Sequence, residues 1–318
     1  MHLQDSLTAA CDGLAVAYDP QKGKHIVAQR TFEPGEVLFT ERAWVQIPLS
    51  VPSANDMRAG KICHDCAMPA PKLDCRHRIS RPNQHVPCRL RYCSDQCRMS
   101  SESLGGLCMR NEAYTDLFEA CLTKRYFVAL AVLRMWLIRA RAQDGKRQEQ
   151  LAFASTSALA IDERIRMGRR RHASGLPLLE QMHELVLQLM PTHKSRHTFD
   201  EFCEDIGRFQ INGTHDGALF MLHSIINHAC DANVDIRPLD CPSRIKVVAS
   251  RRIDAGEEVN DLYVRGDDRL YKRRAALKDQ WAFDCTCRKC SRELQTSQRR
   301  FILGALLAIL FALYGLRR

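Results

Sequence analysis

The spacing of apolar residues divides the chain into a β-rich opening, a stretch with little periodicity, a helical middle and a mixed end. Residues 24–28 read as extended, residues 33–36 (Glu-Pro-Gly-Glu) as a turn, and residues 37–39 as a second strand, so a hairpin is predicted. Between 63 and 108, cysteine, histidine and arginine replace apolar periodicity, as expected where metal rather than a core holds the chain. Residues 111–141 look helical, with Phe127, Leu130, Leu133, Arg134 and Leu137 at spacings of three and four and the apolar members facing the core. Further helices are predicted at 176–190, stopped by Pro191, and at 199–209, where Thr198 and Glu201 form a capping box.

Beyond these, residues 219–226 read as helical, and strands at 234–237 and 245–249 flank a turn at 240–243. Residues 254–257 form another turn, and Asp267 is placed to cap a short helix that runs to about Trp281. Residues 301–316 are apolar on every side and bracketed by Arg299-Arg300 and Arg317-Arg318. About 16 helical residues span roughly 24 Å against a hydrocarbon core of about 30 Å, and arginines at both ends can snorkel. A C-terminal membrane anchor is therefore expected, with a buried or oligomer-forming helix as the alternative.

A length of 318 residues allows one sizeable core with inserted modules. The first ten residues are polar at Gln4 and Asp5, with neither a basic leader nor a long apolar run, so no secretory signal is read. The fifteen cysteines then belong to a reducing compartment, where short spacings mean metal ligands rather than disulfides. A net charge of +10 favours acidic partners. Much of the excess lies between Arg134 and Arg171, including the run Arg169-Arg170-Arg171-His172; without interleaved aromatics this predicts a solvated helical face or loop. No finger helix with base-reading residues is present, which argues against direct nucleic-acid binding.

Cys285-x-Cys287-x-x-Cys290 places three thiolates within reach of one zinc ion, one ligand short of a closed tetrahedral site. Here the sequence resembles the SET-domain lysine methyltransferases, in which three such cysteines take a fourth ligand from an Asn-His-Ser-Cys-x-Pro-Asn motif. That motif stands as Asn227-His228-Ala229-Cys230-Asp231-Ala232-Asn233, and the resemblance makes Cys230 the missing ligand. Lys22-Gly23-Lys24-His25-Ile26-Val27-Ala28 followed by Pro34-Gly35-Glu36-Val37-Leu38 resembles the family's opening cofactor-loop hairpin. Gly256-Glu257-Glu258-Val259 through Tyr263 resembles the element ending in its active-site tyrosine.

The cysteine-rich block resembles a MYND zinc module, which is similar to the layout of the SMYD group. Cys63-x-x-Cys66 and Cys93-x-x-x-Cys97 then supply one four-thiolate site. His85-x-x-Cys88 and Cys108 belong to a second site, with Cys75 or His77 as its remaining ligand and Cys75 preferred. The fold implied is α+β: a SET-type β-fold of short strands with an inserted MYND zinc module, a helical insertion and a cysteine-rich post-SET zinc segment. Its parts are the first SET segment (1–60), MYND (61–110), helical insertion (111–200), second SET segment (201–265), post-SET segment (266–295) and apolar tail (299–318).

The resemblance implies S-adenosylmethionine as cofactor, two or three zinc ions and a protein lysine as substrate. In that reading Tyr263 orients the amine. Asn227 and His228 hold the adenine and amino-acid ends of the cofactor, Asn212 contacts its amino-acid portion, and Lys24 pairs with its carboxylate, with His25 beside it in the loop. Phe283 stacks near adenine, and Trp281 stands where the second aromatic wall is usually tyrosine. The alternative is an inactive scaffold whose MYND module recruits a proline-rich peptide. The expected location is intracellular, tail-anchored and facing the cytosol, or else cytoplasm or nucleus.

Overall fold

The computed structural model describes residues 7–315 apart from 9, 70, 77–87, 106, 142–175 and 191–196. The chain opens with strands β1 (Leu14–Asp19) and β2 (Gly23–Ala28), antiparallel with Tyr18 opposite Lys24. Asp19 Oδ1 accepts the N–H groups of Gln21 and Lys22 at 2.7 and 2.9 Å, which closes the connection as an Asx-type turn. The hairpin therefore forms between β1 and β2, not between β2 and the strand at 37–39. That strand, β3 (Val37–Arg42), pairs instead with β10 (Arg244–Ala249), because the turn at 33–36 is tied to Ala249 through Gly35 N and Glu36 O.

Strand β4 (Val45–Gln46) leads to helix α1 (Val51–Arg58), and β5 (Leu73–Asp74) pairs with β6 (Arg91–Tyr92) in the cysteine-rich block. Helices α2 (Asp95–Leu104), α3 (Glu112–Lys124), α4 (Val128–Arg141), α5 (Leu176–Gln188) and α6 (Phe199–Asn212) follow. The stretch read as one helix over 111–141 breaks at Arg125, which takes a left-handed φ of 53° and caps α3. Helix α6 begins as predicted: Thr198 Oγ1 accepts from Glu201 N at 3.2 Å while Glu201 Oε2 accepts from Thr198 N at 2.9 Å.

The second half contains β7 (Ala218–Leu219), β8 (Asn227–His228), β9 (Val234–Pro238), β10 and β11 (Asn260–Asp261), then α7 (Leu270–Trp281) and α8 (Arg288–Gly315). Strands β9 and β10 pair antiparallel around the turn at 240–243, as expected. Residues 219–226 are not a helix. They form the end of β7 and a single 3₁₀ turn, His223–Ile225, because half-buried Glu41 on β3 accepts the N–H groups of Met221, Leu222 and His223 at 2.7, 2.8 and 2.9 Å. Burial pushes the Glu41 carboxyl above its ordinary range, opposed by those three donors. Nor does Asp267 cap α7; it pairs with Arg265, and Arg269 occupies the cap without a side-chain bond.

Two cores result. Helices α1 and α3–α6 bury Met57, Phe118, Leu133, Trp136, Met182 and Phe202, while the sheets bury Ile26, Phe32, Phe39, Ile226, Val247 and Val259. Asp205, 1% exposed, links α6 to α4: it accepts from Trp136 Nε1 at 2.8 Å, from Arg139 at 2.6 and 3.2 Å, and from Arg208 at 2.7 Å. Arg134, expected on a solvated face, is only 6% exposed and donates to the backbone oxygen of buried His64 at 2.6 Å. His64 in turn meets Ser101 Oγ at 3.1 Å and Tyr114 Oη at 2.9 Å, so the cysteine block is fastened to α2, α3 and α4 through a satisfied polar cluster. The run 169–172 lies outside the described residues.

The expected membrane anchor is overturned: among the described residues no helix is long and apolar enough to cross a membrane. The apolar tail continues a helix whose first half carries Arg288, Lys289, Arg292, Glu293, Arg299 and Arg300. Its apolar part alone, at about 1.5 Å per residue, falls short of a hydrocarbon core of about 30 Å.

Candidate active site and cysteine clusters

Three groups of cysteine sulfurs converge, each group within 4.8 Å: Cys63, Cys66, Cys93 and Cys97; Cys75, Cys88 and Cys108; and Cys230, Cys285, Cys287 and Cys290. The S···S separations are 3.4 Å for Cys66–Cys93, 3.6 Å for Cys93–Cys97, 3.6 Å for Cys75–Cys108 and 3.4 Å for Cys230–Cys290. These are too long for a disulfide bond of about 2.05 Å. They approach the spacing of about 3.8 Å that Zn–S bonds of about 2.3 Å give around a tetrahedron, so the donor sets can hold zinc. Cys75 joins Cys88 and Cys108 as preferred, whereas His85 and His77 lie outside the described residues.

Local structure delivers the sulfurs. Cys97 sits in the first turn of α2, capped by Ser94 Oγ accepting from Cys97 N at 3.2 Å, and Cys290 sits in the first turn of α8. Helix N-termini favour thiolates there. Backbone N–H groups point at sulfur as well: Cys93 N to Cys63 Sγ at 3.4 Å, and Cys230 N and Cys290 N to Cys287 Sγ at 3.4 and 3.5 Å. Hydrogen bonding from Cys285 leads the effects that pull the Cys287 thiol down to about 5.

Each cluster also has a guanidinium, which sequence reasoning missed. Arg42 reaches Cys97 Sγ at 3.4 Å, Arg110 hydrogen-bonds Cys108, and Arg273, 2% exposed, donates from Nε to Cys230 Sγ at 3.2 Å. Arg273 also pairs with Glu293 at 2.8 Å and donates to the Asp268 carbonyl. Of the three only Arg273 is buried; a cation beside gathered thiolates offsets their charge. A signal was present: Arg273 stands four residues before buried Leu277, on the same helical face.

The third cluster adjoins the residues matched to cofactor and substrate. Strands β8 and β11 run parallel, with Asn227 opposite Asn260 and His228 opposite Asp261, and this pairing brings Tyr263 back against Asn227-His228. Tyr263 Oη donates to Ile226 O at 2.6 Å and Tyr263 N donates to His228 Nδ1 at 3.0 Å. The accepting Nδ1 leaves the His228 proton on Nε2, 3.2 Å from Cys230 Sγ. Burial lowers the His228 pKa to about 4, which keeps the ring neutral, and burial raises the ionisation of Tyr263 above its ordinary value.

Aromatic rings gather around this point. Tyr263 lies 5.1 Å from Trp281 and 5.4 Å from His228 between centroids, and His228 lies 6.3 Å from Phe283. Trp281 Nε1 donates to Ile211 O at 3.1 Å, joining α7 to the end of α6, where Asn212 Nδ2 donates to Arg208 O at 2.9 Å. Strand β2, carrying Lys24 and His25, is attached through Val259 N to Ile26 O at 2.8 Å and Ala28 N to Glu257 O at 2.9 Å. Lys22 pairs with Glu258 at 2.8 Å, and Glu258 accepts from Asn227 Nδ2 at 3.3 Å. Burial lowers the Lys24 pKa. Asn233, 1% exposed, accepts from Asn260 N at 2.7 Å and donates to Glu258 O at 2.8 Å, fixing the same strands.

This fold of short paired strands interrupted by cysteine-rich and helical segments, with an Asn-His strand beside a half-buried tyrosine, defines a SET-type architecture. The sequence matches the SET domain family over residues 23–264, more than half of its length, and the chain belongs to that family. It is 27% identical over 286 residues to a histone-lysine N-methyltransferase SET5 of Yarrowia lipolytica, a match covering 86% of this chain and 62% of the relative. A SET5 of Scheffersomyces stipitis is 25% identical over 319 residues, covering 90% and 66%. The chain thus spans a little under two thirds of the length of these curated relatives. Among solved structures it is similar to the SET domain of LSMT bound to lysine and AdoHcy, at 12% identity and a TM-score of 0.42, covering 89% of this chain and 55% of the other. It is also similar to Rubisco LSMT bound to sinefungin and monomethyllysine, at 12% identity and a TM-score of 0.44, covering 86% and 52%.

Proposed function

We propose that the chain transfers a methyl group from S-adenosylmethionine to the side-chain amine of a protein lysine. The observation that carries this reading is Tyr263, bonded through its backbone to His228 and through its phenol to Ile226 O within a SET-family chain. The cofactor supplies an electrophilic sulfonium methyl, so the protein's work is alignment and exclusion of water. Tyr263 orients the amine, and the Tyr263–Trp281 pair forms an apolar wall that favours the neutral amine over the ammonium. Asn212 and the backbone around Asn227 hold the cofactor's amino-acid and adenine ends. The two ring nitrogens of His228 are engaged with Tyr263 N and Cys230 Sγ, so its contribution there is through backbone. Lys24 pairs with the cofactor carboxylate, His25 lies beside it, and Phe283 lies against adenine.

The three cysteine clusters hold zinc in this reading, the first two as a MYND-type module inserted in the SET fold and the third as a post-SET site. The names of the fungal relatives favour a histone as substrate. The test is labelled-methyl transfer by zinc-replete full-length protein to core histones, nucleosomes and whole-cell extract. Labelling by the native chain that falls about 100-fold in Tyr263→Phe is expected, as for loss of a positioning group. Absence of labelling, together with no cofactor binding at millimolar concentration, overturns the reading.

A further inference from the structure

Residues 265–300 hold eleven Lys and Arg against five Asp and Glu, so this stretch contributes +6 of the chain's +10. The acidic residues are largely engaged locally: Asp267 with Arg265, Asp284 with Arg274 and Lys278, and Glu293 with Arg273. Among the described residues, Arg269, Lys272, Arg288, Arg292, Arg299 and Arg300 are exposed cations without a carboxylate partner. Five of the six are arginines, whose planar forks suit bidentate contact with phosphate.

Four of the six stand on one helix. Arg288, Arg292 and Arg299 recur at i, i+4 and i+11 and share one face of α8, spanning about 16 Å. The loop that carries Arg269 is tied to α8 by Lys289 Nζ donating to Gly266 O at 2.5 Å, and α7 is tied to it by Arg273 and Glu293. Between the cations of α8 stand Ser, Gln and Thr, with no aromatic from 284 to 300. A single strand would need rings on which bases stack. A duplex presents a regular backbone with about one charge per 1.7 Å of axis, which a straight arginine row can meet.

We propose that the exposed α7–α8 face binds the phosphate backbone of duplex DNA. The lack of base-reading residues, which from the sequence argued against direct nucleic-acid binding, excludes sequence readout but not backbone contact, so the face positions the protein rather than specifying a site. Because α7 also supplies Trp281, DNA held on this face lies next to the segment that flanks Tyr263.

The test measures fluorescence anisotropy of a 20-base-pair duplex with the zinc-replete full chain from 50 to 200 mM salt. Native protein is expected to bind with affinity falling steeply with salt, and the Arg292→Gln, Arg299→Gln, Arg300→Gln triple variant to bind more than tenfold more weakly at 100 mM salt. Its log–log salt slope is expected to be shallower by about 2 to 3. A charge-matched triple variant on β9, β10 and the following turn, Arg237→Gln, Lys246→Gln, Arg252→Gln, should lose less than threefold. Zinc content and melting temperature verify that both variants are folded. Equal losses in the two variants reduce the effect to net charge and overturn the proposal. So does tight binding of an acidic peptide by protein that fails to bind the duplex.

Discussion

His223 Nε2 lies 3.1 Å from Asp261 Oδ2, joining the turn before Asn227 to the strand before Tyr263. His223 O also accepts from Ile226 N at 3.0 Å, and it is Ile226 O that receives the Tyr263 phenol. The pair therefore sets the tyrosine indirectly. Asp261→Asn is expected to lower kcat about tenfold, roughly 1.4 kcal/mol in the barrier, while KM for the cofactor changes less than threefold. Steady-state kinetics beside a melting curve check this; a fall in stability with unchanged kcat would limit the pair to a structural role.

Arg273 is buried against two sulfurs of the third cluster. Arg273→Met should leave the thiolates' charge uncompensated, speeding zinc release to a chromogenic chelator at least tenfold and destabilising the fold by about 2–3 kcal/mol. Arg273→Lys, which keeps charge without the fork, should fall between.

Asp205 predicts the acid limit. Burial alone would raise its pKa, but Arg139, Arg208 and the Trp136 indole outweigh burial and the net shift is downward. A carboxylate depressed in the folded state stabilises above its unfolded pKa of about 3.9 and loses that contribution as pH falls through the folded value. Stability should thus decline from about pH 5 downward, and Asp205→Asn should flatten this decline while costing about 3 kcal/mol at neutral pH. Urea unfolding at a series of pH values measures both.

Metal analysis of the full chain should give two to three zinc equivalents, and Cys290→Ser one fewer. Because Cys230 and Trp281 share the third cluster's surroundings, that loss should also change the near-ultraviolet signal of the aromatic group around Tyr263. Unchanged zinc content would remove the third site.

What could be read from the chain was local or carried by spacing. The Thr198–Glu201 box, the β9–β10 hairpin and the cysteine intervals each depend on residues a few positions apart. What escaped depends on distant partners. Arg134 looks like surface charge until His64, some 70 residues earlier, presents its carbonyl. The stretch 219–226 has helical spacing, yet Glu41, 180 residues away, takes its N–H groups and leaves one 3₁₀ turn. Arg273 sits inside Lys272-Arg273-Arg274, where charge density conceals its burial, and the tail's apolarity concealed its continuity with a charged helix.

The pairing of Cys230 with Cys285, Cys287 and Cys290 has a consequence for synthesis. The segment matched to the SET family ends at residue 264, so a ribosome can complete it while Cys230 still lacks every one of its partner sulfurs. β3 likewise waits for β10, made some 200 residues later. Such long-range closures are slow and leave intermediates exposed. A nonsense mutation between 264 and 285 would therefore release a chain whose Asn-His strand and tyrosine are intact in sequence but whose partner cysteines never arrive, and quality control rather than reduced activity should decide its fate.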